Sequence, residues 1–109
     1  TVNLDNGMVQ YNSSNLAGTN NTLDIISSAG INTTMATGDI MSVNCITAVN
    51  ASTAYVDQIT IDGIAATESW VGGSAPTDGG SSGVDTYAFS IIKTADATFV
   101  VIANQVKTS

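Results

Sequence analysis

The sequence contains no histidine and no arginine, and it has only two lysines and one cysteine. Histidine is the commonest general base and metal ligand, so its absence argues against most acid–base and zinc enzymes. One cysteine excludes an internal disulfide and a thiolate metal cluster. Without the guanidinium fork of arginine, and with a net charge of −7, the chain suits neither nucleic acid nor an anionic membrane. We therefore expect that the protein is not an enzyme and that it has no cofactor and no metal site.

Charged residues make up only 10% of the chain, whereas 43% of the residues are hydrophobic and the mean hydropathy is +0.23. A chain of 109 residues is one domain (1–109) and buries only about 65% of the surface that it exposes when unfolded. Some of its many valine and isoleucine side chains should therefore remain exposed on a single copy. The composition thus predicts self-association.

Valine and isoleucine number 21 against three leucines, and Ser, Thr and Asn together account for 37 residues. Such residues disfavour helices and favour short strands joined by polar turns. Hydrophobic patterning predicts a small hairpin over 1–12 and strands over 22–27, 40–49, 55–61, 64–70, 84–93 and 97–106. Strands at this spacing, without a helical period, are typical of an all-β fold. We expect a single antiparallel β-sandwich, similar to a jelly roll, with about seven to eight strands.

Glycine marks the connections between these strands. Asn6-Gly7 and Asp62-Gly63 are dipeptides typical of tight hairpin turns. Residues 72–83 contain five glycines and the only proline, which predicts a surface loop. Alternation predicts that the odd-numbered residues of 41–49 form a core face. It also places Tyr87, Phe89 and Ile91 on one face of their strand, and Tyr55, Asp57, Ile59 and Ile61 on one face of theirs.

The nine carboxylates invite comparison with a glycosidase or a calcium site. A retaining glycosidase needs two carboxyl groups about 5 Å apart whose pKa values differ. Asp62 and Asp78 each precede glycine, where turn chemistry accounts for them, and no Arg or His is present to tune an acid. No complete calcium-loop pattern occurs either. Cys45 lies on a predicted core face and is interpreted as a small buried hydrophobic residue.

Trp70 is the only tryptophan, and it immediately precedes the glycine-rich loop. A tryptophan at a strand end can cover one end of a β-sandwich core. Alternatively, a tryptophan beside a loop can stack on a sugar, in which case Tyr55, Tyr87 and Asp78 would complete the binding site. The structural interpretation is favoured, with Trp70, Gly72, Gly73 and Pro76 forming a corner. Here the glycines permit unusual backbone angles and the proline stiffens the exit.

The residues WVGGSAPT at 70–77 and VDTYAFS at 84–90 resemble a module common in bacteriophage tail-fibre and other virion-surface proteins. In that module a W-x-G-G-[ST]-A-P-T loop precedes a V-D-x-[YF]-x-F strand. The resemblance covers about half of the chain, residues 55–103. It implies a structural role in the virion, often as a trimer, and it implies no catalytic residues.

The resemblance and the composition together predict a virion structural protein. A chain of this length suits a capsid decoration (cement) protein better than a whole fibre, which needs a long shaft. We expect its partners to be other copies of itself and capsid or tail proteins, with no nucleic acid and no membrane. The alternative is a tail-fibre or receptor-binding module that recognises a host-surface glycan.

Overall fold

The computed structural model describes all 109 residues and consists almost entirely of strands. A 3₁₀ turn at Leu4–Asn6 and a single helical turn, α1 (Ile31–Thr34), are the only helical elements. The strands are β1 (Val2–Asn3), β2 (Val9–Asn12), β3 (Asn21–Ile26), β4 (Ile40–Ala48), β5 (Val56–Ile61), β6 (Ile64–Ala65), β7 (Thr67–Trp70), β8 (Val84–Ala95) and β9 (Thr98–Lys107). No helix is long and apolar enough to cross a membrane.

The strands form two sheets that enclose one core. The four-stranded sheet has the order β1-β3-β5-β6, and the five-stranded sheet has the order β2-β4-β8-β9-β7. The core cluster takes residues from both sheets, among them Ile25, Ile59, Val43 and Phe89. The predicted all-β class is confirmed. The sheets are not purely antiparallel as predicted: β4, β8 and β9 pair antiparallel, as do β5 and β6, whereas β1, β2, β3 and β7 each pair parallel to a neighbour, so both sheets are mixed.

The predicted N-terminal hairpin is also wrong. The segment β1 pairs with β3, whereas β2 pairs with β4, so the two halves of the predicted hairpin belong to different sheets. The intervening residues form a 3₁₀ turn in which the Asn3 Oδ1 atom accepts a hydrogen bond from the Asp5 N–H at 3.0 Å. The burial of Val2 in the core outweighs the local turn preference of Asn6-Gly7.

The central strands β4, β8 and β9 are antiparallel and alternate as predicted. In β4, Val43, Cys45 and Thr47 are buried, and in β8, Tyr87, Phe89 and Ile91 are buried. The alternation places Lys93 inward as well, at 7% exposure. Its Nζ atom donates hydrogen bonds to the carbonyl oxygens of Asn32 and Met35 at 2.6 and 2.8 Å, so it fixes the turn around α1.

Strand β5 corrects the predicted face of 55–61. Its pairing with β3 shifts register after the partners Asn21 and Val56, because Asp57 is an extra residue in the ladder. Val56, Ile59 and Ile61 are buried, whereas Tyr55 and Asp57 are only half-buried. The bulge therefore moves the core face by one residue at the start of the strand.

The predicted hairpin at Asp62-Gly63 is confirmed. Asp62 and Gly63 have φ angles of 52° and 78°, the two positive values that a type I′ turn requires. The following strand is shorter than predicted, because the chain leaves the four-stranded sheet at Ala66. It continues as β7 at the edge of the five-stranded sheet, parallel to β9.

Candidate interaction surface

Trp70 lies on the inner side of β7, half-buried against the core. Its Nε1 atom donates a hydrogen bond to Glu68 Oε1 at 3.0 Å. The other carboxylate oxygen of Glu68 accepts the Ile59 N–H at 2.9 Å, which links the five-stranded sheet to the four-stranded sheet. The indole N–H is therefore engaged in a contact that closes one side of the core.

The residues after Trp70 form a tight turn at the start of the glycine-rich loop. Gly72 and Gly73 have φ angles of 92° and 94°, which side-chain-bearing residues rarely adopt. The Gly73 N–H donates to the Trp70 carbonyl oxygen at 3.0 Å, and Pro76 is half-buried further along. These residues occupy one continuous bend between β7 and the rest of the loop.

The second half of the loop packs on a buried carboxylate. Asp85 is fully buried, and its Oδ2 atom accepts the Gly80 N–H at 2.9 Å while Oδ1 has no hydrogen-bond partner. Gly79 donates its N–H to the Ser52 carbonyl oxygen at 2.7 Å. Both glycines are buried, so this part of the loop is packed into the protein and does not lie on its surface. Asp85 is the acid of the V-D-x-Y-x-F pattern, and its contact gives that acid a structural role.

Tyr87 is fully buried beneath the loop. Its hydroxyl oxygen accepts hydrogen bonds from the Val56 N–H at 3.1 Å and from Gln105 Nε2 at 3.0 Å. Burial raises the pKa of this phenol above its ordinary value. Gln105 Nε2 also donates to the Asp78 carbonyl oxygen at 2.9 Å, so it connects the loop to the core.

The other two proposed sugar contacts are elsewhere. Tyr55 is half-buried, and its hydroxyl donates to Asn20 Oδ1 at 2.9 Å. The Asp78 carboxylate is exposed and forms an ion pair with Lys107 at 2.8 Å. With Trp70 facing the core, the structure does not bring the proposed set together on one exposed surface.

The outer side of the five-stranded sheet carries no charged residue. Its outward side chains alternate with the buried ones along each strand, and Val9, Tyr11, Ile40, Ile102 and Val106 are each more than 40% exposed. We call this surface the neutral face. It consists of Val9, Tyr11, Ile40, Ser42, Asn44, Ile46, Ala48, Thr67, Ser69, Val84, Thr86, Ala88, Ser90, Ile92, Val100, Ile102, Asn104 and Val106.

The charges of the protein are located away from the neutral face. Five acids lie in turns or loops, namely Asp5, Asp39, Asp62, Asp78 and Asp96. Two acids, Asp24 and Asp57, are on the four-stranded sheet, and two, Glu68 and Asp85, lie on the inner side of the five-stranded sheet. Both lysines alternate toward the inner side of β8 and β9. No three acids or cysteines lie together in an arrangement that could hold a metal ion.

A cavity of about 500 Å³ opens between the two sheets at the edge formed by β1, β2 and β3. Cys45, Thr47, Val56 and Tyr87, all buried, line its inner part. Burial raises the pKa of the Cys45 thiol. No charged side chain lines the cavity. Sequence patterning could not locate it, because it depends on which strands end each sheet.

The neutral face was likewise only partly visible in the sequence. Alternation in 40–49 and 84–93 marks their even-numbered residues as outward, but it does not show that β2 and β7 extend the same surface. The chain matches no protein-family model, no curated protein and no solved structure.

Proposed function

We propose that the chain is a bacteriophage virion structural protein, a small surface-mounted β-sandwich such as a capsid decoration protein. It acts through protein–protein interfaces and not through catalysis. The neutral face is the observation that carries this proposal. The resemblance of residues 70–77 and 84–90 to virion-surface modules supports the particle as its location.

The neutral face has the size of a protein-binding surface. Its strands contain 4, 9, 12, 10 and 4 residues. At about 3.4 Å per residue and about 4.8 Å between strands, they cover about 600 Å², and the side chains that project from the sheet add further area. One side of a standard protein interface buries about 800 Å². The face therefore offers most of the area of one such interface in a single continuous surface.

The composition of the face also fits an interface. Interface cores are depleted in charged residues relative to the remaining surface, and this face has none in a protein of net charge −7. Apolar side chains alternate with small hydroxyl and amide groups, so a partner would gain both buried apolar area and neutral hydrogen bonds. A partner can dock here without burying an unpaired charge.

The location is tested by quantifying the chain in the purified particle that encodes it. Hundreds of copies per particle would support a decoration protein. A few to a few tens of copies would favour a tail fibre and contradict the decoration role. Absence of the chain from the particle would refute a virion function.

The use of the neutral face is tested with one charge placed on either sheet. Ile102→Lys puts a charge at a 45%-exposed position in the middle of the face, whereas Gln58→Lys puts it on the exposed side of the four-stranded sheet. We expect the first variant to lose association with copies of itself or with the particle, and the second to retain it. Unchanged melting temperatures exclude misfolding. Equal binding by both variants would contradict the proposal.

A further inference from the structure

We infer that the partner on the neutral face is a second copy of this chain, which packs on it face to face about a two-fold axis. The axis lies between β8 and β9 and runs parallel to them. This dimer rests on the proposed use of the neutral face as an interface, and it specifies the partner and the arrangement. Its formation does not depend on the particle in which the protein resides.

Charge favours a second copy as the partner. All nine acids lie away from the neutral face, and the face itself is uncharged. A basic partner would be attracted to the acids and therefore to other parts of the surface. The neutral face of another copy can cover this one without burying a charge, and the acids of both copies then stay outside the contact.

The strand register arranges the neutral face in rows that run across the sheet. Two central rows each contain a smaller side chain on β8 beside a larger one on β9. They are Ser90 beside Ile102 and Ala88 beside Asn104. In the rows on either side, Ile92 with Val100 and Thr86 with Val106, the two side chains are similar in size. The central rows are therefore uneven in height, with β9 higher than β8.

A two-fold axis between β8 and β9 fits these uneven rows together. It places β9 of each copy over β8 of the other and keeps every row opposite itself. Ile102 of each copy then lies over Ser90 of the other, and Asn104 lies over Ala88. Sheets that pack face to face are about 10 Å apart, so larger side chains need smaller ones opposite them. An axis along β8 would instead set Ser90 on Ser90 and Ala88 on Ala88, which leaves a gap at the centre.

The outer strands of the overlap agree with the same axis. It places β4 of each copy over β7 of the other. Ile40, which is 68% exposed, then lies over Thr67, and Ser42 lies over Ser69. Both contacts again avoid placing two large side chains opposite each other. Strand β2 has no strand opposite it and extends beyond the overlap at each end of the dimer.

The overlap is large enough for a dimer. Strands β8 and β9 overlap along the 10 residues of β9, and β4 and β7 overlap along the 4 residues of β7. Each overlap occurs twice, which gives about 460 Å² of sheet on each copy, or about 900 Å² in total. A standard interface buries about 1,200–2,000 Å² in total, so projecting side chains need to add only about a third. We therefore expect a dissociation constant of the order of micromolar.

A charge swap between two variants tests the partner and the axis together. In a heterodimer of Ile102→Asp and Ser90→Lys, the new aspartate lies opposite the new lysine. The second contact of that heterodimer keeps the original Ile102 over Ser90. Each homodimer would instead bury two unpaired charges. Val106→Lys is the matched control, because its lysine is on the same face but about 14 Å along the strand from the row of Ile102.

Association is measured by sedimentation velocity at about 0.1 mM chain, where a micromolar dissociation constant gives mostly dimer. Native mass spectrometry distinguishes heterodimers from homodimers by mass. We expect each variant alone to associate about a hundredfold more weakly than the unmodified protein. Mixing Ile102→Asp with Ser90→Lys should recover about tenfold or more, and mixing it with Val106→Lys should recover nothing.

A second charge swap covers the case in which a variant of the first pair does not fold. Asn104→Asp and Ala88→Lys repeat the test in the neighbouring row, and Asn104→Asp changes the side-chain volume very little. The same recovery on mixing is expected. Loss of the dimer in every variant, without recovery in either swap, would overturn the proposed arrangement.

The remaining outcomes separate this dimer from the proposed function. A monomeric or trimeric unmodified protein would overturn the dimer. If such a protein still lost the particle through Ile102→Lys, the proposed function would stand with another virion protein as the partner. A dimer that both single variants retain would use another surface and would also overturn the inference. Recovery on mixing, in a chain that is absent from the particle, would support the dimer and refute only the virion location.

Discussion

Replacing Gly79 with alanine should disrupt the contact between the glycine-rich loop and the core. A Cβ atom at this position would overlap the carbonyl oxygen of Ala54 and lie 3.1 Å from Asp85 Oδ2. The overlap is with the main chain, which cannot rotate away as a flexible side chain could. Gly79 itself donates to the Ser52 carbonyl oxygen at 2.7 Å, so moving the glycine breaks that hydrogen bond.

The expected cost has two parts. Forcing a methyl group into a packed site costs about 1–3 kcal/mol. Displacement of the loop also removes the Gly80 N–H from the buried carboxylate of Asp85, whose other oxygen already lacks a partner. Leaving a buried polar group unsatisfied costs a further 1–3 kcal/mol or so, and more if it is charged. We expect a total loss of about 3–5 kcal/mol, or about 12–20 °C in melting temperature for a chain of this size.

The assay is urea unfolding followed by circular dichroism, with Gly72→Ala as the matched control in the same loop. Gly72 has a φ angle of 92° but no atom within 4 Å of an added Cβ, so alanine there incurs backbone strain without a clash. That strain costs about 1–2 kcal/mol. If Gly79→Ala destabilised the protein no more than Gly72→Ala, the loop would not be packed on Ala54 and Asp85 as described.

Three further predictions concern the core, pH and salt. Trp70→Ala should destabilise the fold by about 2–3 kcal/mol in thermal unfolding, because the indole ring is half-buried against the core. Trp70→Phe should retain most of the stability of the original protein. If Trp70→Ala were fully stable, the structural role of Trp70 would be ruled out. Burial raises the pKa values of Cys45 and Tyr87 from 9.0 and 10.0, so the unfolded chain releases these protons at lower pH than the folded protein does. The urea midpoint should therefore stay constant below about pH 9 and fall above it, and in Cys45→Ala the fall should begin at higher pH. If Cys45→Ala left the pH dependence of the midpoint unchanged, burial of the thiol would be contradicted. Self-association through the neutral face should persist or strengthen from about 0.1 M to 1 M NaCl in sedimentation experiments, since salt screens repulsion between acidic copies; dissociation at high salt would point to ion pairs instead.

The sequence alone determined the class of the fold, the central strands and one tight turn. Alternation in 40–49 placed Val43 and Cys45 in the core, and alternation in 84–93 placed Tyr87 and Phe89 on one face, because a strand has the same two-residue period whatever lies beside it. The Asp62-Gly63 turn could also be predicted from the sequence, since its positive φ angles depend on the two residues themselves.

Only the tertiary structure decided which strands are neighbours. Parallel partners such as β2 and β4, or β7 and β9, are far apart in the chain, and no local residue pattern specifies their pairing. For the same reason the hairpin predicted over 1–12 became two strands in different sheets. The bulge at Asp57 depends on pairing with β3, so it too was invisible in the sequence. The neutral face arises from these long-range pairings, because a surface is defined by neighbouring strands and not by one strand alone.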